Sequence, residues 1–484
     1  MTRWPRERVA LVFEDEVYTH GRLDELAGRY AAALAARGVR AGMRVALMGS
    51  NRPAWVAAVL ATWRVGAAVA LFSPSWKQAE TEHAIAIVRP ACGIGDHRVL
   101  AGLLPVIGFD DDLAALATPP PAPPADAEAE AVLVFSSGTT GLPKAVRHSH
   151  GGLAAAIGHW RDCLELTSAD RMQVTTPPSH ILGILNIATC LELGIWMRLH
   201  PRFNLDRLLE CVAGDRITVE MAVAPIALAL ASHPSLESYD LSSLRYIMWG
   251  ATPVTASVAQ AVTRRTGVPW VPAYGASENP VIACNPVRGG RLDSVGKAPP
   301  GVELRVVSLD DGSALPAGQA GEILLRSPSL MLGYLPESET ACSMAEGWYR
   351  TGDVGYIEPD GWVHLTDRSK EMIKVRGFQV APAEVEGVLL GHPSVADAAV
   401  FGVPDEASGE AIVAAVVLAP DAVEVAPQAL ADYVAGRLAS YKKPRDVTRV
   451  TVIPRLPSGK ALRRVLKEDF LRVLKEDSGR TPDG

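Results

Sequence analysis

The residues best suited to chemistry in this 484-residue chain stand together in Ser136-Ser137-Gly138-Thr139-Thr140-Gly141-Leu142-Pro143-Lys144. Glycines let backbone amides approach a polyphosphate closely, hydroxyls donate to its oxygens, and a lysine supplies positive charge. The spacing is not that of a Walker loop, because the glycines are set differently and Lys144 is followed by Ala145. Read alone, a Ser/Gly/Thr run is most often a surface loop. Here it follows directly on Ala131-Val-Leu-Val-Phe135, an apolar run of the kind buried on both faces of a sheet. A lysine after a Gly-Leu-Pro turn behind such a strand favours phosphate binding.

The elements that must carry this loop alternate between strand and helix. Leu23, Leu26, Ala27, Tyr30 and Leu34 recur at helical spacing, with Gly38 as a stop. A strand at Arg44–Met48, a helix from Pro53 to about Arg64 and a strand at Val69–Phe72 predict a right-handed crossover in a parallel sheet. Residues 118–126 are proline-rich and predict a surface linker within the larger part. Beyond about Lys370 the pattern changes. Ala383–Leu390 reads as a short helix, Val395–Gly402 and Ile412–Leu418 as strands, and Gln428–Leu438 as a helix, making a small α+β unit. Residues 478–484 read as a frayed tail.

A chain this long exceeds one ordinary core, so at least two domains are expected. With 48% hydrophobic and 21% charged residues the composition is that of a soluble globular protein, and a net charge of −7 provides no field for nucleic acid. No apolar stretch reaches the roughly 18 residues of a spanning helix, and the N-terminal apolar run is too short for a signal peptide. Cys92, Cys163, Cys190, Cys211, Cys284 and Cys342 are scattered with no close pair. Neither a disulfide framework nor thiolate metal ligation is expected, and a reducing cytoplasm fits.

The loop at 136–144 resembles the phosphate-binding loop of the adenylate-forming superfamily, which includes acyl-CoA synthetases, aryl-CoA ligases, luciferases and peptide-synthetase adenylation domains. Other segments follow in the family's order, from about residue 20 to 465. Ala273-Tyr-Gly-Ala-Ser-Glu278 is similar to its Tyr-Gly-x-Thr-Glu, with Ser277 in the threonine place. Trp348-Tyr-Arg-Thr-Gly-Asp353 carries its Tyr-Arg-Thr-Gly-Asp. Thr366–Gln379 resembles its interdomain crossover, and Leu456-Pro-Ser-Gly-Lys-Ala-Leu-Arg463 its C-terminal Pro-x-Gly-Lys.

The resemblance implies an α/β fold. A large N-terminal domain of mixed β-sheets flanked by helices (1–367) is followed by a hinge (368–370) and a small mobile α+β lid (371–484). ATP and AMP would be held by Ser136, Ser137, Gly138, Thr139, Thr140, Lys144, Gly250, Ala251, Ala273, Tyr274, Gly275, Ser277, Asp353, Arg368 and Lys374. Tyr274 would lie against adenine, and Asp353 and Arg368 would take the ribose. Glu278 and Thr140 would hold Mg²⁺, for which a carboxylate oxygen is the suitable hard ligand. Lys460, His180 and Glu278 would serve catalysis, with Lys460 bridging the substrate carboxylate and the α-phosphate. Lys370 would be the hinge, and Val375, Arg376 and Gly377 would line the path of coenzyme A.

The implied reaction forms an acyl adenylate and pyrophosphate from ATP and a small carboxylic acid, then moves the acyl group to coenzyme A. Amino-acid-activating relatives place an aspartate ahead of the pocket. Here Thr176-Pro-Pro-Ser-His180-Ile-Leu-Gly has no acid, and an unpaired ammonium would be costly there. Ile184, Trp249, Gly250, Ala251, Gly275, Pro280 and Val281 suit a hydrophobic fatty, aryl or alicyclic acid. A ligase that loads a carrier protein is the alternative. Such relatives carry an interdomain insertion, for which the short path from Tyr356 to Arg368 leaves little room. A luciferase and an inactive homologue are further rivals. No nucleic-acid partner and no membrane span are expected, and the chain would be a monomer or homodimer.

Overall fold

The computed structural model describes residues 4–113, 126–137, 143–250, 256–368, 371–375, 378–405, 409–420, 422, 425–455 and 461–478. The anticipated linker, Gly138, Thr139, Thr140, Ala251, Lys370, Arg376, Gly377 and Lys460 lie outside the described residues.

Two large sheets dominate. A seven-stranded sheet runs in the order Gly333–Leu335, Pro143–Ser149, Glu130–Ser137, Ala68–Leu71, Arg44–Leu47, Cys92–Ile94, Val106–Ile107. Its members from Glu130–Ser137 onward are parallel, while Pro143–Ser149 and Gly333–Leu335 join antiparallel. An eight-stranded sheet runs Ala283–Cys284, Trp270–Tyr274, Tyr246–Trp249, Val219–Ala222, Arg171–Val174, Trp196–Leu199, Val9–Phe13, Glu16–Thr19. It is parallel except at its two ends.

Side-chain size sorts the faces. In Arg44–Leu47 and Ala68–Leu71 the larger Val45, Leu47, Val69 and Leu71 turn to one face, and Ala46, Ala68 and Ala70 to the other. The larger set meets helices His20–Ala36, Pro53–Arg64, His150–Cys163 and Ile181–Leu193, which share one core with both sheets. The alanine face packs on Ala84 and Val88 of helix Gln78–Val88. The first helix begins where Thr19 accepts from the Arg22 amide at 3.1 Å, and the second opens on Pro53.

A third, antiparallel sheet pairs Glu303–Val307 with Gly321–Arg326, and Gly321–Arg326 with Trp348–Ile357, which in turn pairs with Val363–Arg368. The path from Tyr356 to Arg368 is therefore a hairpin and holds no insertion. Ile373–Val375, Phe378–Val380, Val395–Asp405, Gly409–Leu418 and Asp446–Arg449 form a separate small sheet. It buries Val385, Leu389, Val400, Ala414 and Leu430 in a core of its own. The large domain of mixed sheets and the small α+β domain thus match the sequence reading. Among the described residues no helix is long and apolar enough to cross a membrane.

Two details escaped the sequence. The thiols of Cys163 and Cys284, far apart in the chain, stand within hydrogen-bonding reach of each other, both as free cysteines. A polar chain also crosses the interior of the eight-stranded sheet. His200 Nε2 meets Gln173 Oε1 at 2.7 Å, and Gln173 Nε2 donates to Glu220 Oε2 at 2.7 Å. Burial pushes the Glu220 carboxyl up to about 8, only partly offset by Gln173, the Met221 backbone and Thr175.

As pH rises past the ordinary glutamate range, the unfolded chain loses this proton while the folded chain keeps it. Between about 4.5 and about 8 the site therefore removes on the order of 1 kcal/mol of stability per pH unit. Glu220→Gln should match the wild type in thermal denaturation at pH 5 and exceed it at pH 8. Parallel stability curves across that range would contradict the buried, protonated state.

Candidate active site

Four neighbouring parallel strands of the eight-stranded sheet end on one edge, at Val174, Ala222, Trp249 and Tyr274. The chain leaves them into 175–180, 223, Gly250 and 275–282. Ligands of open α/β sheets gather outside such carboxyl ends.

The phosphate loop is held at its base by two paired strands, with Ser136 opposite Lys144 and Ser137 opposite Pro143. The Ser136 hydroxyl is buried with no hydrogen-bond partner among the described residues, and a buried donor beside a lysine is suited to an anion. The Lys144 ammonium lies 3.8 Å from the centroid of the Tyr334 ring.

The turn after Tyr274 is compact. The Ala276 amide donates to Asn279 O at 3.0 Å, and a Cβ on Gly275 would sit 2.1 Å from Pro280 O, so only glycine fits. The turn is pinned from both sides. His148 Nε2 donates to Ser277 O at 2.7 Å, and burial pushes that imidazole down to about 4, so it is neutral. Asn279 donates from Nδ2 to Val281 O at 2.9 Å and accepts from Ser329 Oγ at 3.1 Å. Glu278 is nearly enclosed, and Tyr334 Oη donates to its Oε1 at 2.8 Å.

Asp353 is aimed by a β-bulge. The ladder between Gly321–Arg326 and Trp348–Ile357 shifts register between Glu322 and Leu324, and Gly352 adopts φ +70°. Thr351 Oγ1 donates to Ile323 O at 2.7 Å and accepts from the Asp353 amide at 3.0 Å. Arg350 pairs with the buried Glu322. Asp353 then accepts from Tyr274 Oη at 2.5 Å, and its backbone stands opposite Arg368 in the hairpin. The two residues assigned to ribose thus share one rung.

His180 immediately precedes helix Ile181–Leu193, with its amide donating to Pro177 O at 2.9 Å. Burial lowers the imidazole pKa, so the ring is neutral at neutral pH. Ile184 and Val281 lie in the core between the sheets, together with Met248, Ala273 and Tyr274. Trp249 does not join them. It points to the opposite face of its strand and packs on Trp270, with ring centroids 5.1 Å apart. Val375 belongs to the core of the small domain, so its side chain lines no path there. Lys374 lies on the same strand, opposite Gln379.

The sequence assigns no role to His148, Glu322 or Tyr334. No spacing marks any of them, since each acts across a fold-level contact.

A buried hydroxyl and a lysine stand near an enclosed glutamate and an enclosed aspartate, an arrangement that fits an adenylate-forming enzyme. The chain belongs to the AMP-binding enzyme family: the AMP-binding enzyme profile matches residues 1–335, and that of the AMP-binding enzyme C-terminal domain matches 384–460. A 4-coumarate–CoA ligase-like protein of Oryza sativa subsp. japonica is 37% identical over 97% of this chain and 91% of its own. ATP-bound MatB from Rhodopseudomonas palustris superposes with a TM-score of 0.90, at 28% identity over 96% of each chain. The anthranilate CoA ligase AuaEII, in complex with anthranoyl-AMP, superposes with a TM-score of 0.90, at 27% identity over 97% of this chain and 95% of its own.

Gly275→Ala should force the turn open, at a cost of about 1–3 kcal/mol. Calorimetric titration with AMP should show affinity reduced at least about tenfold. Unchanged affinity would mean the turn does not shape the nucleotide site.

Proposed function

We propose that this chain is an ATP-dependent, AMP-forming carboxylate–CoA ligase acting on an aryl carboxylic acid. The observation that carries the reading is a set of contacts that links the motifs: Ser136 stands opposite Lys144, Lys144 lies on the Tyr334 ring, Tyr334 bonds Glu278, and Tyr274 bonds Asp353.

In the first half-reaction a substrate carboxylate oxygen attacks the α-phosphorus of ATP, the bond to the bridging oxygen breaks, and pyrophosphate leaves. Lys144, Ser136 and the loop amides hold the phosphates, Ser277 offers a hydroxyl to the α-phosphate, and Asp353 with Arg368 fixes the ribose. Lys460, outside the described residues, bridges the two anions. Glu278 presents an enclosed carboxylate, a donor set that fits a hard divalent cation. Mg²⁺, when bound, would offset the charge of the departing pyrophosphate. In the second half-reaction the thiol sulfur of coenzyme A attacks the acyl carbonyl and gives up its proton, and AMP leaves. Rotation about Lys370 would bring Arg376 and Gly377 toward the thiol and withdraw Lys460.

The acid is read as aryl for two reasons. Ile184, Pro280 and Val281 are apolar, and Gly250 and Gly275 directly after two of the strand ends carry no side chain. The relatives' names point the same way: 4-coumarate and anthranilate are aryl acids. The neutral His180 ring carries no charge to a carboxylate, which suits orientation by hydrogen bonding. Free thiols at the cysteines support a cytoplasmic setting.

The chain should be given ATP, Mg²⁺ and coenzyme A with 4-coumarate, benzoate, a medium-chain fatty acid and phenylalanine, and acyl-CoA quantified by mass spectrometry. Aryl acids should exceed the fatty acid in kcat/KM by about tenfold or more, with no thioester from phenylalanine. Preference for the fatty acid would overturn the aryl assignment. Lys460→Ala should lower thioester formation by at least about a hundredfold, and normal turnover would remove that lysine from the chemistry.

A further inference from the structure

We propose that Tyr334 is a positioning residue that sets the Glu278 carboxylate for a divalent cation through its hydroxyl and parks the Lys144 ammonium for the phosphates on its ring. This rests on the reading of Glu278 and Lys144 given above.

Tyr334 sits where three site-bearing elements meet. Its strand, Gly333–Leu335, pairs antiparallel with the strand that returns from the phosphate loop, placing Tyr334 opposite Val146. Lys144 lies two residues from Val146 and so shares its face, within diagonal reach of Tyr334. The Tyr334 amide is tied to Thr340 Oγ1 at 2.8 Å. Its side chain is almost wholly buried, so the ring has one place to stand.

From that place it makes two different contacts. The ring face receives the Lys144 ammonium at 3.8 Å, and among the described residues the one carboxylate paired with that ammonium, Glu339, is 3.8 Å away. The hydroxyl donates to Glu278 Oε1 at 2.8 Å and stands 3.1 Å from Tyr349 Oη. A phenol has one proton. If Tyr334 gives its proton to Glu278, Tyr349 must donate to Tyr334, and the chain Tyr349–Tyr334–Glu278 has a fixed sense.

One donor thus engages one carboxylate oxygen and leaves the other for a cation. Without the hydroxyl, the enclosed carboxylate would be free to turn about its last bond. Tyr349 belongs to the strand that carries Asp353, so the same relay ties the cation site to the ribose site.

The test uses Mn²⁺ titrated into the full chain with α,β-methylene-ATP and no acid, followed by electron paramagnetic resonance. Binding of the metal-free analogue in EDTA is measured by calorimetry. Tyr334→Phe, which keeps the ring, should weaken Mn²⁺ binding about tenfold and leave metal-free analogue binding within about twofold. Tyr334→Leu should weaken both. Tyr349→Phe should weaken Mn²⁺ binding about threefold, and serves if the Tyr334 variants do not fold. Mn²⁺ binding by Tyr334→Phe equal to or tighter than wild type, with Glu278→Gln weakened, overturns the positioning role and spares the reading of Glu278. Unweakened Mn²⁺ binding by Glu278→Gln overturns both.

Discussion

Two anions must meet in this site: a carboxylate, and the phosphate it attacks. In water each is shielded, whereas in a cleft that excludes water their repulsion grows along with every attraction. The protein must therefore gather cations and donors and hold them still before the reactants arrive. The described residues show how. Charged groups are fixed by neighbours, Lys144 against the Tyr334 ring and Glu278 by the Tyr334 hydroxyl. Groups that need only bond carry no charge, as with the neutral rings of His148 and His180.

Fixing these groups falls to backbone features. The phosphate loop is closed at its base by a strand pair, and the Glu278 turn is closed by contacts too tight for any side chain at Gly275. Asp353 is swung inward by a bulge, which re-aims a side chain without breaking the strand. None of these devices requires the small domain, which has its own sheet and core. The large domain therefore carries these devices independently of the small one.

Much of this was legible in the sequence, and the limits have physical causes. Strand–helix–strand alternation from Leu23 to Phe72 predicted the parallel sheet, because periods of 3.6 and 2 are local properties. The segments 136–144, 273–278 and 348–353 were legible as signatures of the family for the same reason: each is one short piece of sequence. Contacts between distant segments were not. Nothing near Tyr334 announces that its hydroxyl will reach Glu278, fifty-six positions away, and His148 differs from any inward-facing strand residue only in what it meets. Trp249 was misplaced because its neighbours were read as a wall, whereas alternation along the strand sends it to the helix-covered face with Trp270. The Cys163–Cys284 proximity was hidden in the same way.

The central claim is that the site joins the acid to AMP before any thiol takes part. The most direct measurement is the acid-dependent exchange of radiolabelled pyrophosphate into ATP in the absence of coenzyme A. The account predicts exchange that appears on adding an aryl acid and needs no thiol. Exchange that is absent until coenzyme A is supplied, or that proceeds equally without an acid, would contradict it.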